Sequence, residues 1–264
     1  MAVEDPCLPY IRDILRGAGL QVQPVAVDGE GITVDGLGTV DAVLVTPAHQ
    51  YPLGMTLSPG RRAAIVRWAN KHDAWVIEDD YDGEFRFDRQ PRSALQGLDP
   101  DRVIYMGTAS KSLAPGLRLG WIVLPPTLVN QFSSERAWRL PTPGLDQLAL
   151  AELITSGAFD SHLRRARATF RHRRHALIRI VPPQIRVLGL DAGLHAVLEL
   201  PQIGPSEDEV LGAAERSGVR VSGLARHWAG PNPRPGLIVG YARPAPHEFE
   251  PALNALSSVL SSVV

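Results

Sequence analysis

Through its first 125 residues the chain alternates short apolar runs with stretches of helical spacing, and that alternation narrows the fold more than any other feature. Residues 11–18 read as helix and 20–27 as strand. Residues 40–46 read as a buried strand leading into a loop marked by Pro47, Pro52 and Gly54. Residues 59–71 have helical spacing (Ala63, Ala64, Val66, Trp68), 74–78 return to strand, and 103–107 and 119–124 complete the set. Strands alternating with helices predict βαβ units, hence a mostly parallel sheet covered on both faces.

The texture changes after Pro125-Pro126. Helical spacing runs from about Asp146 to Ile180 with a break near Gly157, and strands are expected over 185–190, 194–200, 219–222 and 237–241. A last helix follows from His247. This arrangement predicts an α/β chain with a smaller α+β unit at its end, divided as residues 1–150 and 151–264.

Composition removes several function classes. The formal charge is −1, whereas a nucleic-acid module needs a cationic face, so the basic run His162-Leu163-Arg164-Arg165-Ala166-Arg167, with Arg171, Arg173 and Arg174, reads as a solvated helix face. Cys7 is the single cysteine and can form no internal disulfide, which suits a reducing cytoplasm. No apolar run reaches membrane-spanning length, so no membrane partner is expected. Among 27 basic residues only Lys71 and Lys111 are lysines. Arginine cannot substitute where a neutral amine must attack a carbonyl, so each lysine is a candidate for chemistry. Lys71 lies in the polar stretch Asn70-Lys71-His72-Asp73 and reads as surface; Lys111 does not.

Three clusters fall at the ends of expected strands, where open α/β sheets bind ligands. They are Thr46 to Gly54, Val76 to Phe85 (with Glu78, Asp79, Asp80 and Asp82), and Gly107 to Trp121 around Lys111. Each alone has a plain structural reading as a turn or a cap. Together they supply one chemistry: an amine for an aldehyde, a carboxylate for a pyridinium nitrogen, a phenol donor, and Arg plus hydroxyls for a phosphate. No metal is called for.

The stretches VTPAHQYPLGMTLSPGRR, VIEDDYDGEFRF, GTASKSLAPGLRLGW and DQLALAELITSGAFDSHLRRAR resemble fold-type I pyridoxal-phosphate-dependent aminotransferases of class I/II. The wording is closest to the aminotransferase-like domain of MocR-type regulators in the GntR superfamily. The resemblance implies pyridoxal 5'-phosphate as cofactor and Lys111 as the catalytic, Schiff-base lysine. It further implies Asp79 as the pyridinium partner, with Asp80 the fallback, and Tyr81 as donor to the phenolic oxygen. Thr108, Ser110 and Arg118 resemble the phosphate ligands. The expected partners are an amino acid or 2-oxo acid and a second copy of the chain in a homodimer, with no nucleic acid bound through this chain.

The sequence departs from the family pattern in places. Leu8 stands where relatives place an aromatic that stacks on the coenzyme, which gives up the geometry-specific part of that contact. Tyr51 takes the Asn place of an Asn-Pro-x-Gly loop. Relatives carry about a hundred further residues at the start of the coenzyme domain, including a Gly/Ser loop at a helix N-terminus that cradles the phosphate. The regulators add a winged helix-turn-helix. The resemblance thus implies a chain that starts inside the large domain. The strand expected over 237–241 lacks the Arg that clamps a substrate carboxylate, so Arg234 is the first candidate and Arg226 the second. The expected activity is amino-group transfer between an amino acid and a 2-oxo acid. The alternative is an effector-sensing coenzyme domain of a regulator.

Overall fold

The computed structural model describes residues 1–87, 93–134, 143–231 and 234–263. Seven strands form the first sheet: β1 (Ala2–Asp5), β2 (Gln23–Asp28), β3 (Gly31–Ile32), β4 (Ala42–Val45), β5 (Trp75–Asp80), β6 (Val103–Thr108) and β7 (Gly120–Val123). Their spatial order is β3-β2-β1-β4-β5-β6-β7, with β2, β1, β4, β5 and β6 mutually parallel and the two edge strands antiparallel. The expected α/β architecture is present. The strand β1 was not anticipated, because four residues ending in Asp5-Pro6 carry too little pattern to be read alone.

Helices cover both faces, as buried parallel strands require. α2 (Pro59–His72) starts at Ser58, whose hydroxyl accepts from the Arg61 N–H at 3.2 Å, with proline at the first helical position. Its Ile65, Trp68 and Ala69 pack with Ala2, Val43, Val76 and Val103 of the sheet. On the opposite face, Ile11 and Leu15 of α1 (Pro9–Gly17) meet Val3, Leu44, Ile77 and Met106. Lys71 lies in the last turn of α2, not in a turn of its own, and is solvent-exposed as expected.

A short α3 (Ala109–Ser112) and α4 (Pro126–Ser134) lead to α5 (Gly144–Thr155) and α6 (Ala158–Ile180). The expected break falls at Gly157, whose φ of 73° favours glycine. α6 packs, with α7 (Glu207–Arg216) and α8 (Pro246–Ser261), on a second sheet of order β10-β11-β9-β8. Those strands are β8 (Arg186–Leu188), β9 (His195–Glu199), β10 (Ser222–Gly223) and β11 (Gly236–Gly240), all antiparallel.

The basic run of α6 is not simply a solvated face. Arg173 and Arg174 are buried. Arg173 donates to the Tyr241 and Ala242 carbonyls, Arg174 pairs with Asp191 at 3.0 Å, and Arg167 donates to the Glu84 carbonyl. These arginines fasten the helix to backbone acceptors on two sides, which one-dimensional charge patterning cannot reveal.

Polar contacts join the two sheets. The buried Arg12 guanidinium donates to the carbonyls of Arg226, His227 and Trp228, and the His195 Nε2–H donates to the Pro52 carbonyl at 2.9 Å; within the first unit the Gln50 amide donates to the Pro6 carbonyl. Beneath them Glu4 is buried, accepting from the Thr46 amide at 3.2 Å and its hydroxyl at 2.5 Å. Burial pushes the Glu4 carboxyl up to about 7, against the lowering effect of those hydrogen bonds. A raised acid binds its proton more tightly in the folded state, so its contribution is greatest below about pH 4.5 and is lost as pH rises through 7. Melts taken from pH 5 to 8 should therefore show stability falling by at most ~3 kcal/mol from this group. In Glu4→Gln that part of the slope should vanish; an unchanged slope would place the pH dependence elsewhere.

Candidate active site

Because β1, β4, β5 and β6 run parallel, their C-terminal ends open on the same edge of the sheet. That edge gathers Asp5, Thr46, Asp79 to Asp82, and Thr108 to Lys111. Register sets the closest pair of loops: Asp79 aligns with Met106 and Asp80 with Gly107, so the β5 carboxylates lie beside the strand that delivers the lysine.

Alternation along β5 gives its two aspartates different surroundings. Asp80 accepts from the Tyr105 hydroxyl at 2.8 Å and lies against Gly83. Asp79 shares its face with Ile77 and has no side-chain hydrogen bond among the described residues. Burial, then the Asp80 and Asp82 charges, push its carboxyl up to about 6, opposed by the Lys111 ammonium. The structure thus brings Lys111 and Asp79 within electrostatic reach of each other and leaves Asp80 committed to Tyr105.

Lys111 stands on α3, one turn past the end of β6. Thr108 caps that turn: its hydroxyl accepts from the Ser110 N–H at 3.1 Å and donates to the Leu119 carbonyl at 3.2 Å. From the other side, the His162 Nε2–H of α6 donates to the Ser112 carbonyl at 2.8 Å. Lys111 itself is solvent-exposed at the mouth of the crevice. Arg118 is also exposed, in the left-handed region at φ 52°, and like Lys111 has no side-chain hydrogen bond among the described residues.

Tyr81 is 3.1 Å from His49 Nδ1, which in turn lies 2.9 Å from Asp82 Oδ2. Burial, reinforced by the Asp82 charge, holds the Tyr81 phenol well above its ordinary value, so it remains a hydrogen-bond donor. Tyr51 meets the Tyr81 ring edge-on at 6.0 Å and continues to His195 at 5.0 Å and His227 at 5.6 Å. His195 donates its Nε2–H to the Pro52 carbonyl, His227 its Nδ1–H to the Gly223 carbonyl. Burial lowers both imidazoles to about 4 and keeps them neutral.

Not every candidate gathers here. Arg234 lies 3.7 Å from Glu199, at the opposite end of β9 from His195. Arg226 is exposed and close enough to Tyr51 for its charge to oppose the rise that burial imposes on that phenol. Leu8 is the residue before α1 and is half-buried. Sequence reasoning named no role for Glu4, His49, Asp82, His195 or His227. His49 and Asp82 stood inside two of its clusters, but the two histidines from the second sheet carried no local signal.

An acceptor carboxylate without a donor, facing a lysine beside a phenol donor, fits a heteroaromatic cation bearing an aldehyde. On the anion side, Ser110 and Arg118 suit a phosphate, while the Thr108 hydroxyl is already used in capping.

The model of the family described as "Aminotransferase class I and II" matches residues 2–215. The HTH-type transcriptional regulator YhdI of Bacillus subtilis is 32% identical over 99% of this chain and 57% of its own length. The probable rhizopine catabolism regulatory protein MocR of Rhizobium meliloti is 36% identical over 97% of the chain and 53% of its own length. The chain thus spans a little over half the length of these relatives. Among solved structures, LysN, an α-aminoadipate aminotransferase of Thermus thermophilus, superposes on 100% of the chain and 71% of itself, with TM-score 0.87 and 24% identity. The kynurenine aminotransferase of Pyrococcus horikoshii gives TM-score 0.86 at 24% identity, over 98% of the chain and 68% of itself. Fold and sequence agree: the chain has the fold-type I aminotransferase fold and belongs to the class I and II aminotransferase family.

Proposed function

We propose that this chain binds pyridoxal 5'-phosphate through Lys111 and carries out amino-group transfer between an amino acid and a 2-oxo acid. The observation that carries the reading is the Lys111 amine within electrostatic reach of Asp79, a half-buried carboxylate with no side-chain hydrogen bond among the described residues. Pyridoxal phosphate, when bound, supplies an electron-withdrawing ring that stabilises negative charge at the substrate α-carbon. Asp79 keeps the ring nitrogen protonated, Tyr81 donates to the phenolic oxygen, and Ser110 and Arg118 hold the phosphate. Thr108 shapes the turn that presents them. Lys111 acts as nucleophile toward the aldehyde and, once released by substrate, as the base that moves the α-carbon proton. Residues 1–150 form the coenzyme-binding part and 151–264 the small domain.

For the substrate carboxylate, Arg226 is favoured over Arg234, because Arg226 stands near Tyr51 whereas Arg234 pairs with Glu199. A second reading, an effector-sensing domain with little turnover, is favoured by relatives named as transcriptional regulators and by Leu8 in the aromatic's place. A homodimer is also proposed. Exposed Trp121 and Ile122 on β7, with Leu145 and Leu148 on α5, supply apolar surface of the kind that associating proteins cover. Gel filtration should show a dimer; a clean monomer at micromolar concentration would remove that part.

Mixing the purified chain with pyridoxal phosphate should produce a visible absorbance band that borohydride abolishes. Lys111→Ala should lack it, and a band unchanged in Lys111→Ala would reject the assignment. The Asp79 carboxyl at about 6 sets a second expectation. Above that pH the carboxylate is charged and holds the ring cation; below it the charge is lost and affinity falls. Coenzyme titrations from pH 5 to 8 should show that fall in the unmodified chain, whereas Asp79→Asn should bind at least roughly tenfold more weakly at pH 8, with no such step.

A further inference from the structure

We propose that Asp82 and His49 are a positioning pair for Tyr81, fixing its hydroxyl as a donor into the crevice shared by Lys111 and Asp79. What that hydroxyl serves rests on the coenzyme reading above. The pair itself rests on the geometry of this chain.

Three polar atoms meet at one point: His49 Nδ1 lies 2.9 Å from Asp82 Oδ2 and 3.1 Å from the Tyr81 hydroxyl. An imidazole nitrogen either carries a proton and donates or carries a lone pair and accepts, and a carboxylate oxygen accepts. A bare Nδ1 would set lone pair against lone pair beside Asp82, so the proton belongs on Nδ1, donated to Asp82. The same N–H is then shared with the Tyr81 oxygen, which accepts. His49 therefore makes no claim on the phenol's own O–H, which has the Asp82 carboxylate as its acceptor within the cluster and is held there, protonated, at the edge of the crevice until a ligand oxygen takes its place.

The surroundings hold this arrangement in place. His49 and Asp82 are 4% and 2% exposed, so neither is loosened by water. Gly193, at φ 79° in the segment entering β9, closes over the pair. A Cβ there would lie 2.2 Å from His49 Cε1 and 3.0 Å from Asp82 Oδ2, so only glycine fits. The Gly193 N–H donates to the Phe85 carbonyl at 2.7 Å, and its carbonyl accepts from the Tyr241 hydroxyl at 2.7 Å. The neutral His195 ring packs 5.3 Å from His49. Tyr81 is therefore aimed by a pair held under a segment of the second sheet, where its own loop alone would leave the phenol free to rotate.

The test has an arm free of coenzyme and an arm with it. In the chain labelled with ¹⁵N-histidine, NMR at pH 7.5 should show His49 as the Nδ1–H tautomer, its signal shifting in both Tyr81→Phe and Asp82→Asn. The Nε2–H tautomer, or a signal indifferent to both changes, would overturn the pair. In titrations with pyridoxal phosphate, His49→Ala and Asp82→Asn should each weaken binding roughly tenfold. His49→Asn, which returns an N–H to the Nδ1 place, should recover most of the loss. In a Tyr81→Phe background His49→Ala should change affinity less than about twofold, because coupled residues are not additive. An equal loss in both backgrounds would mean that the pair acts apart from Tyr81. Should the unmodified chain bind no coenzyme, the functional reading fails while the NMR arm still decides the pair.

Discussion

The site depends on one constraint: β5 and β6 run parallel, in register, and end together. Asp79 aligns with Met106, two residues before Thr108, and the turn capped by Thr108 brings Lys111 within electrostatic reach of the carboxylate. An antiparallel pairing would put the acidic loop and the lysine turn at opposite edges of the sheet. Parallel pairing requires crossover helices, and those helices keep water from both faces. The desolvation that raises Asp79 and Glu4 is thus a by-product of the topology that brings the reactive groups together.

The second sheet adds what the first cannot. Its buried contribution to the crevice is neutral and polar, with His195 and His227 spending one ring N–H each on backbone carbonyls, while Arg12 of α1 reaches across to three carbonyls of the 226–228 segment. Buried polar groups are tolerated because nearly every one is paired, and breaking a partner leaves a costly orphan. Such a junction demands one relative placement of the strand ends, whereas an apolar contact would accept several.

Much of the fold was legible in the sequence because its cause is local. Period-two and helical patterns marked most strands and α2, and glycine marked the break before α6. Other features were not, among them the two-residue β3 and the helices α4 and α7, which sequence reasoning did not name. The strand β1 is too short to show a period, and the basic face of α6 is spent on carbonyls from segments far away in the chain. In the site, Lys111 and Asp79 could be named because amine and carboxylate chemistry restricts the residue types. The Asp79–Asp80 ambiguity could be narrowed only by seeing which carboxylate Tyr105 occupies. Arg234 was misleading for a similar reason: closeness to a strand in sequence says nothing about which end of the sheet an arginine serves, and here Glu199 holds it at the far end.

The chain offers an unusually clean test of the central claim, since it has only three amines: the N-terminus, Lys71 and Lys111. Treatment with limiting pyridoxal phosphate, reduction with borohydride, and peptide mapping by mass spectrometry would locate the bond formed. The account predicts one label per chain, on the peptide that contains Lys111. Label divided among all three amines, or concentrated on Lys71, would contradict it.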